Sequence, residues 1–258
     1  MKSSANRGIT GGSNSKKVNA ARNKDFTFGV YSHVVSSTLS LAISLVLSVA
    51  AGSPGEGPAE KNVSKKMKMK EELVLGSGCF WCLEAIFDDL VGVDSAVAGY
   101  AGGTAATANY RDVSAGGTGH AEVLKVTFDS TVIAAEDILR VFFTFHDPTQ
   151  LNRQGNDYGT HYRSAIFYAN DAQKQLAQKV MEEIRVAKIY PGKIVTTLEP
   201  LNEFFVAEDY HQDYFARYEQ ATEEERAKMN SGYCNAVIGP KVAKFRKTYA
   251  SRLKTKSG

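Results

Sequence analysis

From residue 71 onward the apolar positions switch between two periods. Glu72–Leu75, Val93–Gly99, Glu122–Phe128, Ser164–Tyr168 and Ile194–Leu198 are short, β-branched or alternating runs and read as strands, Glu122–Phe128 the cleanest of them. Helical spacing takes over in between. Phe80, Leu83, Phe87 and Leu90 recur on one face, with Glu84, Asp88 and Asp89 on the other. Ala134–Phe145 is helical and is stopped by Asp147-Pro148; Asp171–Lys188, Glu208–Gln220, Thr222–Met229 and a basic amphipathic stretch, Lys241–Leu253, follow. Residues 99–119 read as a Gly-rich loop. There is no internal repeat. Strands and helices mixed over fewer than about 200 residues predict an α/β (α+β) fold, a two-layer sandwich on a mixed, mostly antiparallel sheet. The pattern does not dictate strand order.

Ahead of this region the character changes. Residues 1–25 are rich in Ser, Asn, Gly, Lys and Arg without apolar periodicity. An uncharged apolar stretch from Val34 to Ala51 ends on the small residues Ser48-Val49-Ala50-Ala51-Gly52. Basic region, apolar run and small-residue exit form a signal-like pattern, so the expectation is export from the cytoplasm. A membrane anchor, an organellar address and a cytoplasmic protein with an upstream start remain alternatives. The chain thus divides into a leader (1–52), a Gly/Pro/Lys linker (53–70) and a folded domain (71–258). Charge follows the same division. Residues 1–70 hold eleven Lys and Arg against three acids, and the remainder holds twenty against twenty-five. The basic excess belongs to the leader. The domain's bases are scattered among acids, which argues against nucleic-acid binding, and nothing in the pattern calls for more than a monomer.

Three cysteines, Cys79, Cys82 and Cys234, are too few for a disulfide framework. Cys79 directly follows a strand and turn and opens a helix. Backbone N–H groups at a helix start stabilise a thiolate, which predicts a lowered pKa. Phe80 and Trp81, the only tryptophan, flank the sulfur. Cys79 and Cys82 form a Cys-x-x-Cys pair suited to redox exchange. Zinc would call for a second pair of ligands at short spacing, so no metal is expected. Gly116-Gly117-Thr118-Gly119 lacks the Gly-Lys-Ser/Thr ending of a phosphate loop.

Gly78-Cys79-Phe80-Trp81 resembles the catalytic signature of the A-type peptide methionine sulfoxide reductases. Thr118-Gly119-His120-Ala121-Glu122, the run Gln154 to Ser164, Glu208 to Tyr214, and Tyr233-Cys234 resemble later motifs of that family in the same order. The resemblance covers roughly Leu73 to Arg246. It implies a ferredoxin-like sandwich, reduction of the S epimer of methionine sulfoxide in oxidised proteins, no cofactor or metal, and recycling by thioredoxin or a similar thiol donor. It implies Cys79 as nucleophile, Glu122 as acid, Tyr110 and Tyr162 as hydrogen-bond donors to the sulfoxide oxygen, Phe80 and Trp81 around the methyl group, and Asp157 in substrate positioning. Cys234 matches a resolving thiol. It lies in a Gly/Asn-rich segment that could swing inward. Cys82, one helical turn from Cys79, is the alternative resolving thiol. His120 and His161 read as loop histidines, and His211 and Asp213 as braces of the late helix. Two other readings compete: a general disulfide oxidoreductase using Cys79 and Cys82, and a non-catalytic module that binds oxidised peptides. The first leaves the acid and tyrosine motifs unexplained, and the second leaves the thiols unexplained.

Overall fold

The computed structural model describes residues 69–255; the leader and nearly all of the linker lie outside them. The strands are β1 (Lys70–Ser77), β2 (Val93–Ala101), β3 (Ala121–Asp129), β4 (Arg153–Gln154), β5 (Asp157–Tyr158), β6 (Ser164–Tyr168), β7 (Thr197–Pro200) and β8 (Phe204–Val206). The helices are α1 (Phe80–Asp88), α2 (Tyr110–Ala115), α3 (Ala135–Thr144), α4 (Asp171–Val186), α5 (Tyr214–Gln220), α6 (Glu223–Ala227), α7 (Ser231–Tyr233) and α8 (Gly239–Thr248). The six main strands form one sheet in the order β7-β6-β1-β3-β2-β8, and β4 pairs with β5 separately. The succession β1-α1-β2-β3-α3-β6 with spatial order β6-β1-β3-β2 is the split βαβ arrangement of a ferredoxin-like fold. The central pairs are antiparallel; only β6 and β7 run parallel.

Alternation along the strands divides the sheet's two faces. Leu73 and Leu75 of β1, Leu124, Val126 and Phe128 of β3 and Ile166 of β6 face α1, α3 and α4 in the main core. Val74, Val123 and Phe167 point to the other face, where Leu201 and Phe204 partly cover them. Each buried Leu, Ile or Phe contributes about 1.5–3 kcal/mol, so the helical layer carries most of the stabilisation. Among the described residues no helix is long and apolar enough to cross a membrane.

Several elements differ from the sequence reading. The Gly-rich loop contains α2, started by Asn109, whose side chain accepts from the Asp112 N–H. The last sheet strand on one side begins at Thr197 rather than Ile194, because the Val195 N–H goes to the Pro148 carbonyl and ties the preceding residues to the loop after α3. β8 was not expected. The predicted helix 208–220 is interrupted: a short 3-10 turn, Asp209–His211, precedes Asp213 at φ 52°, and α5 starts only after it. The cause lies in α1. Glu84, expected on a polar face, is buried, and its carboxyl accepts from the Asp213 and Tyr214 N–H groups at 2.8 and 3.2 Å.

Candidate active site

β1 runs into Gly76-Ser77-Gly78 and delivers Cys79 to the N-cap of α1. Gly78 has φ +89°, and a Cβ there would stand 2.6 Å from Cβ of Gln154. Only glycine satisfies both conditions. Gln154 is itself fixed, accepting from the Asp147 N–H and donating to the Asp147 carbonyl. The turn that aims Cys79 is therefore braced from the β4 side.

Every site residue expected from the sequence, save Cys82 and Cys234, lines one cleft of about 190 Å³: Cys79, Phe80, Trp81, Tyr110, Glu122, Asp157 and Tyr162, joined by Asn230 and Tyr233. Glu122 opens β3 next to β2 and is buried. Its Oε2 accepts from the Phe80 N–H at 3.2 Å, so the acid is tied to the start of the helix that Cys79 opens. Burial dominates its protonation and pushes its pKa up to about 8, partly offset by that N–H and reinforced by Asp157. At neutral pH it is a carboxylic acid able to donate a proton. Tyr110 starts α2, held by its N–H on Glu208 Oε1 at 2.8 Å, while Glu208 Oε2 takes the Tyr100 hydroxyl. Tyr162 closes the 3-10 turn Thr160–Tyr162. Burial raises both phenols, Tyr162 strongly, so both remain donors.

The indole of Trp81 stacks on Tyr214 at 3.7 Å and 7°. Its Nε1–H donates to Nδ1 of His211 at 3.2 Å. His211 is buried against Phe80 and Tyr110, and burial lowers its pKa to about 4, so the ring is neutral. Its role is thus to hold the aromatic wall, beyond bracing the late helix. Asp213, expected to brace the late helix, stands at the start of α5 without a side-chain cap bond; the brace there is the Glu84 carboxyl. The main residue missed as a site group is Tyr233. Its hydroxyl donates to Asp157 Oδ2 at 2.6 Å, and its ring meets Trp81 edge-on. Its sequence position beside Cys234 was the only available signal.

All three thiols are free and buried, and they share one apolar cluster. Burial pushes the Cys79 thiol up, with Cys82 and Glu122 adding to the rise; the helix end does not lower it as the sequence suggested. Cys82 is shifted the other way by a hydrogen bond from Cys79. At rest Cys79 is therefore a thiol. Cys234, expected in a flexible segment, is instead fully buried in a helical one: it follows α7 and begins a π-helical turn, Cys234–Ile238. Burial raises its pKa to about 11.

A ferredoxin-like sandwich that gathers a thiol, a protonated buried carboxyl and two phenols around one small cleft defines a thiol-dependent oxidoreductase. The chain belongs to the peptide methionine sulfoxide reductase family, whose sequence model matches residues 71–253. It is 49% identical over 180 residues to the peptide methionine sulfoxide reductase MsrA of Clavibacter michiganensis subsp. michiganensis, covering 70% of this chain and 96% of that protein. The MsrA of Saccharolobus solfataricus is 45% identical over 190 residues, 73% of this chain and 99% of that protein. Among solved structures, reduced Mxr1 from Saccharomyces cerevisiae superposes with a TM-score of 0.54 at 35% identity, covering 59% of this chain and 88% of that one. Methionine sulfoxide reductase A of Corynebacterium diphtheriae gives 0.52 at 32% identity, covering 59% and 77%.

Proposed function

We propose that the protein repairs oxidised proteins by reducing the S epimer of methionine sulfoxide. The observation that carries this reading is the neutral Glu122 carboxyl in the same cleft as the Cys79 thiol. A sulfoxide oxygen is a poor leaving group and departs only when protonated. Cys79 attacks the sulfoxide sulfur while Glu122 donates its proton to the oxygen, as general acid catalysis requires. Tyr110 and Tyr162 hydrogen-bond that oxygen, Phe80 and Trp81 enclose the methyl group, and Asp157 helps position the substrate. The Cys79 thiol proton replaces the one Glu122 gave; the bond between the two sulfurs and the substrate's sulfur–oxygen bond then break as the protonated oxygen passes to Cys79, so methionine leaves reduced by two electrons and Cys79 is left oxidised as a sulfenic acid. Polar groups for the oxygen and an aromatic wall for the methyl select one handedness at sulfur, which this reading takes as S.

Cys234 then condenses with the sulfenic acid, releasing water and leaving a disulfide; Cys82 is the alternative partner. A thioredoxin-type dithiol returns the pair to thiols by exchange. The leader directs export in this reading, which N-terminal sequencing of the native protein checks. The central test incubates the protein with dithiothreitol and racemic dabsyl-methionine sulfoxide. Loss of the S epimer alone, abolished in Cys79→Ser, supports the proposal. Consumption of both epimers, or activity in Cys79→Ser, refutes it.

A further inference from the structure

Tyr233 and Cys234 are chain neighbours with different surroundings. Tyr233 lines the cleft together with Cys79, where its hydroxyl donates to Asp157 Oδ2 at 2.6 Å and is near enough to the Cys79 sulfur to influence that thiol's protonation. Cys234 is fully buried among Tyr214, Phe215, Ile238 and Val242. The segment carrying both is tied on each side of Cys234; beyond it, Asn235 Oδ1 accepts from the Tyr218 hydroxyl at 3.0 Å. Asn230 caps α7 by accepting from the Tyr233 N–H, and the Asn230 N–H donates to the Tyr214 hydroxyl. The five-residue π-helical turn that follows is an uncommon geometry, frequent at functional sites. For Cys234 to approach Cys79, this segment must rearrange, and Tyr233 must leave the place beside the sulfur that its hydroxyl occupies.

Resting on the assignment of Cys79 as nucleophile and Cys234 as resolving thiol, we propose that the Tyr233 hydroxyl is a latch that keeps the Cys234 segment closed until Cys79 is oxidised. The phenolic proton goes to Asp157 Oδ2, which pins Tyr233, and with it the Cys234 segment, in the cleft that Cys79 also lines. The first half-reaction adds an oxygen to the Cys79 sulfur. The new oxygen enters the cleft that the Tyr233 hydroxyl lines and competes for its proton with Asp157, so oxidation weakens the latch and loosens the segment. Cys234 then condenses with the sulfenic acid: its sulfur bonds to Cys79, the Cys79–oxygen bond breaks, and water departs with the oxygen and the thiol proton. Before oxidation the same latch protects the site, because it keeps the reactive sulfur and its partner apart while substrate enters.

Full-length Tyr233→Phe tests this, since it removes only the hydroxyl and leaves the ring against Trp81. Two readouts follow. In the resting, reduced protein, alkylation of Cys234 by iodoacetamide, quantified by peptide mapping, is expected to quicken about tenfold on losing this charge-assisted hydrogen bond. After one equivalent of methionine sulfoxide, the dimedone-trappable sulfenic acid is expected to decay several-fold faster to the Cys79–Cys234 disulfide, while methionine still forms. Asp157→Ala removes the latch's acceptor and should raise Cys234 alkylation in the same way, whatever it does to the first step. Unchanged Cys234 alkylation in both variants, or a sulfenic acid that decays no faster in Tyr233→Phe, overturns the latch. Absence of methionine from the wild type would instead refute the underlying assignment of Cys79, and a Cys79–Cys82 disulfide would refute that of Cys234.

Discussion

At the scale of single residues, the site pairs two groups that both keep their protons at rest. Burial raises Cys79, and burial raises Glu122 to about 8. A raised carboxyl is protonated below its shifted pKa and ionised above it. Single-turnover methionine formation should therefore fall as pH rises through about 8, where Glu122 loses the proton it donates. Glu122→Gln should be slower by about 10²-fold below that pH, the usual scale of general acid catalysis, and should lack this limb in a stopped-flow pH series. An unchanged rate would remove Glu122 from the chemistry. His211 works one step further out. Because Trp81 is the only tryptophan, its emission reports on one side chain. His211→Phe removes the acceptor at 3.2 Å from Nε1 and leaves a partly buried donor unpaired, at about 1–3 kcal/mol. We expect a shifted emission maximum and a several-fold higher KM with kcat little changed; emission identical to wild type would show that the indole needs no such partner.

At the scale of elements, the short turn between β1 and α1 governs the aim of Cys79. Gly78→Ala would force a Cβ to 2.6 Å from Gln154 at a φ of +89°, costing about 1–2 kcal/mol in backbone conformation alone. Lower thermal stability and a loss of activity larger than that loss explains are expected, from a melting curve and a dithiothreitol assay. The strand–turn–helix that sets this geometry was legible in the sequence, since periodicity changes at Gly76–Gly78 and apolar residues then recur at helical spacing. β1, β3 and α4 were legible for the same reason. What was not legible depends on partners remote in sequence. Glu208 holds Tyr110 across ninety-eight residues, and Glu84 splits the helix expected at 208–220 from about one hundred and thirty residues away. β8 has three residues, too few to show a period. Cys234 looked mobile because Asn230, Ser231 and Gly232 are turn formers; in place, Asn230 caps a helix and the thiol fills a core position. The ordered motifs located the cleft, whereas Tyr233 and His211 emerged only from contacts.

For the whole molecule, buried acids and buried histidines set opposite pH trends. Glu84, Asp88 and Glu122 are pushed up to about 8, 7 and 8, so their contribution is present below their ordinary pKa values and is lost as pH rises through the shifted ones. His146 and His211 fall from 6.5 to about 4, so theirs grows as pH rises through about 4 and is complete above 6.5. The two trends compete on the acid side; above pH 6.5 only the acids remain. The melting temperature should therefore decline between pH 6.5 and about 8, and Glu84→Gln should flatten that decline in calorimetry; an equally steep decline in the variant would exclude Glu84 as a source. Finally, the sheet has two poles. Glu122 and Cys79 stand at one; at the other, Ser130 N–H meets the Met69 carbonyl, Asp129 N–H the Gly92 carbonyl, Val91 N–H the Arg252 carbonyl and Lys254 N–H the Asp89 carbonyl. Both ends of residues 69–255 thus converge on the side of the sheet remote from the cleft. A circular permutant that joins them by a short Gly/Ser bridge and opens the chain at an exposed loop far from Cys79 should fold and keep its substrate entrance unobstructed, as permutation generally succeeds where chain ends lie close together at the surface.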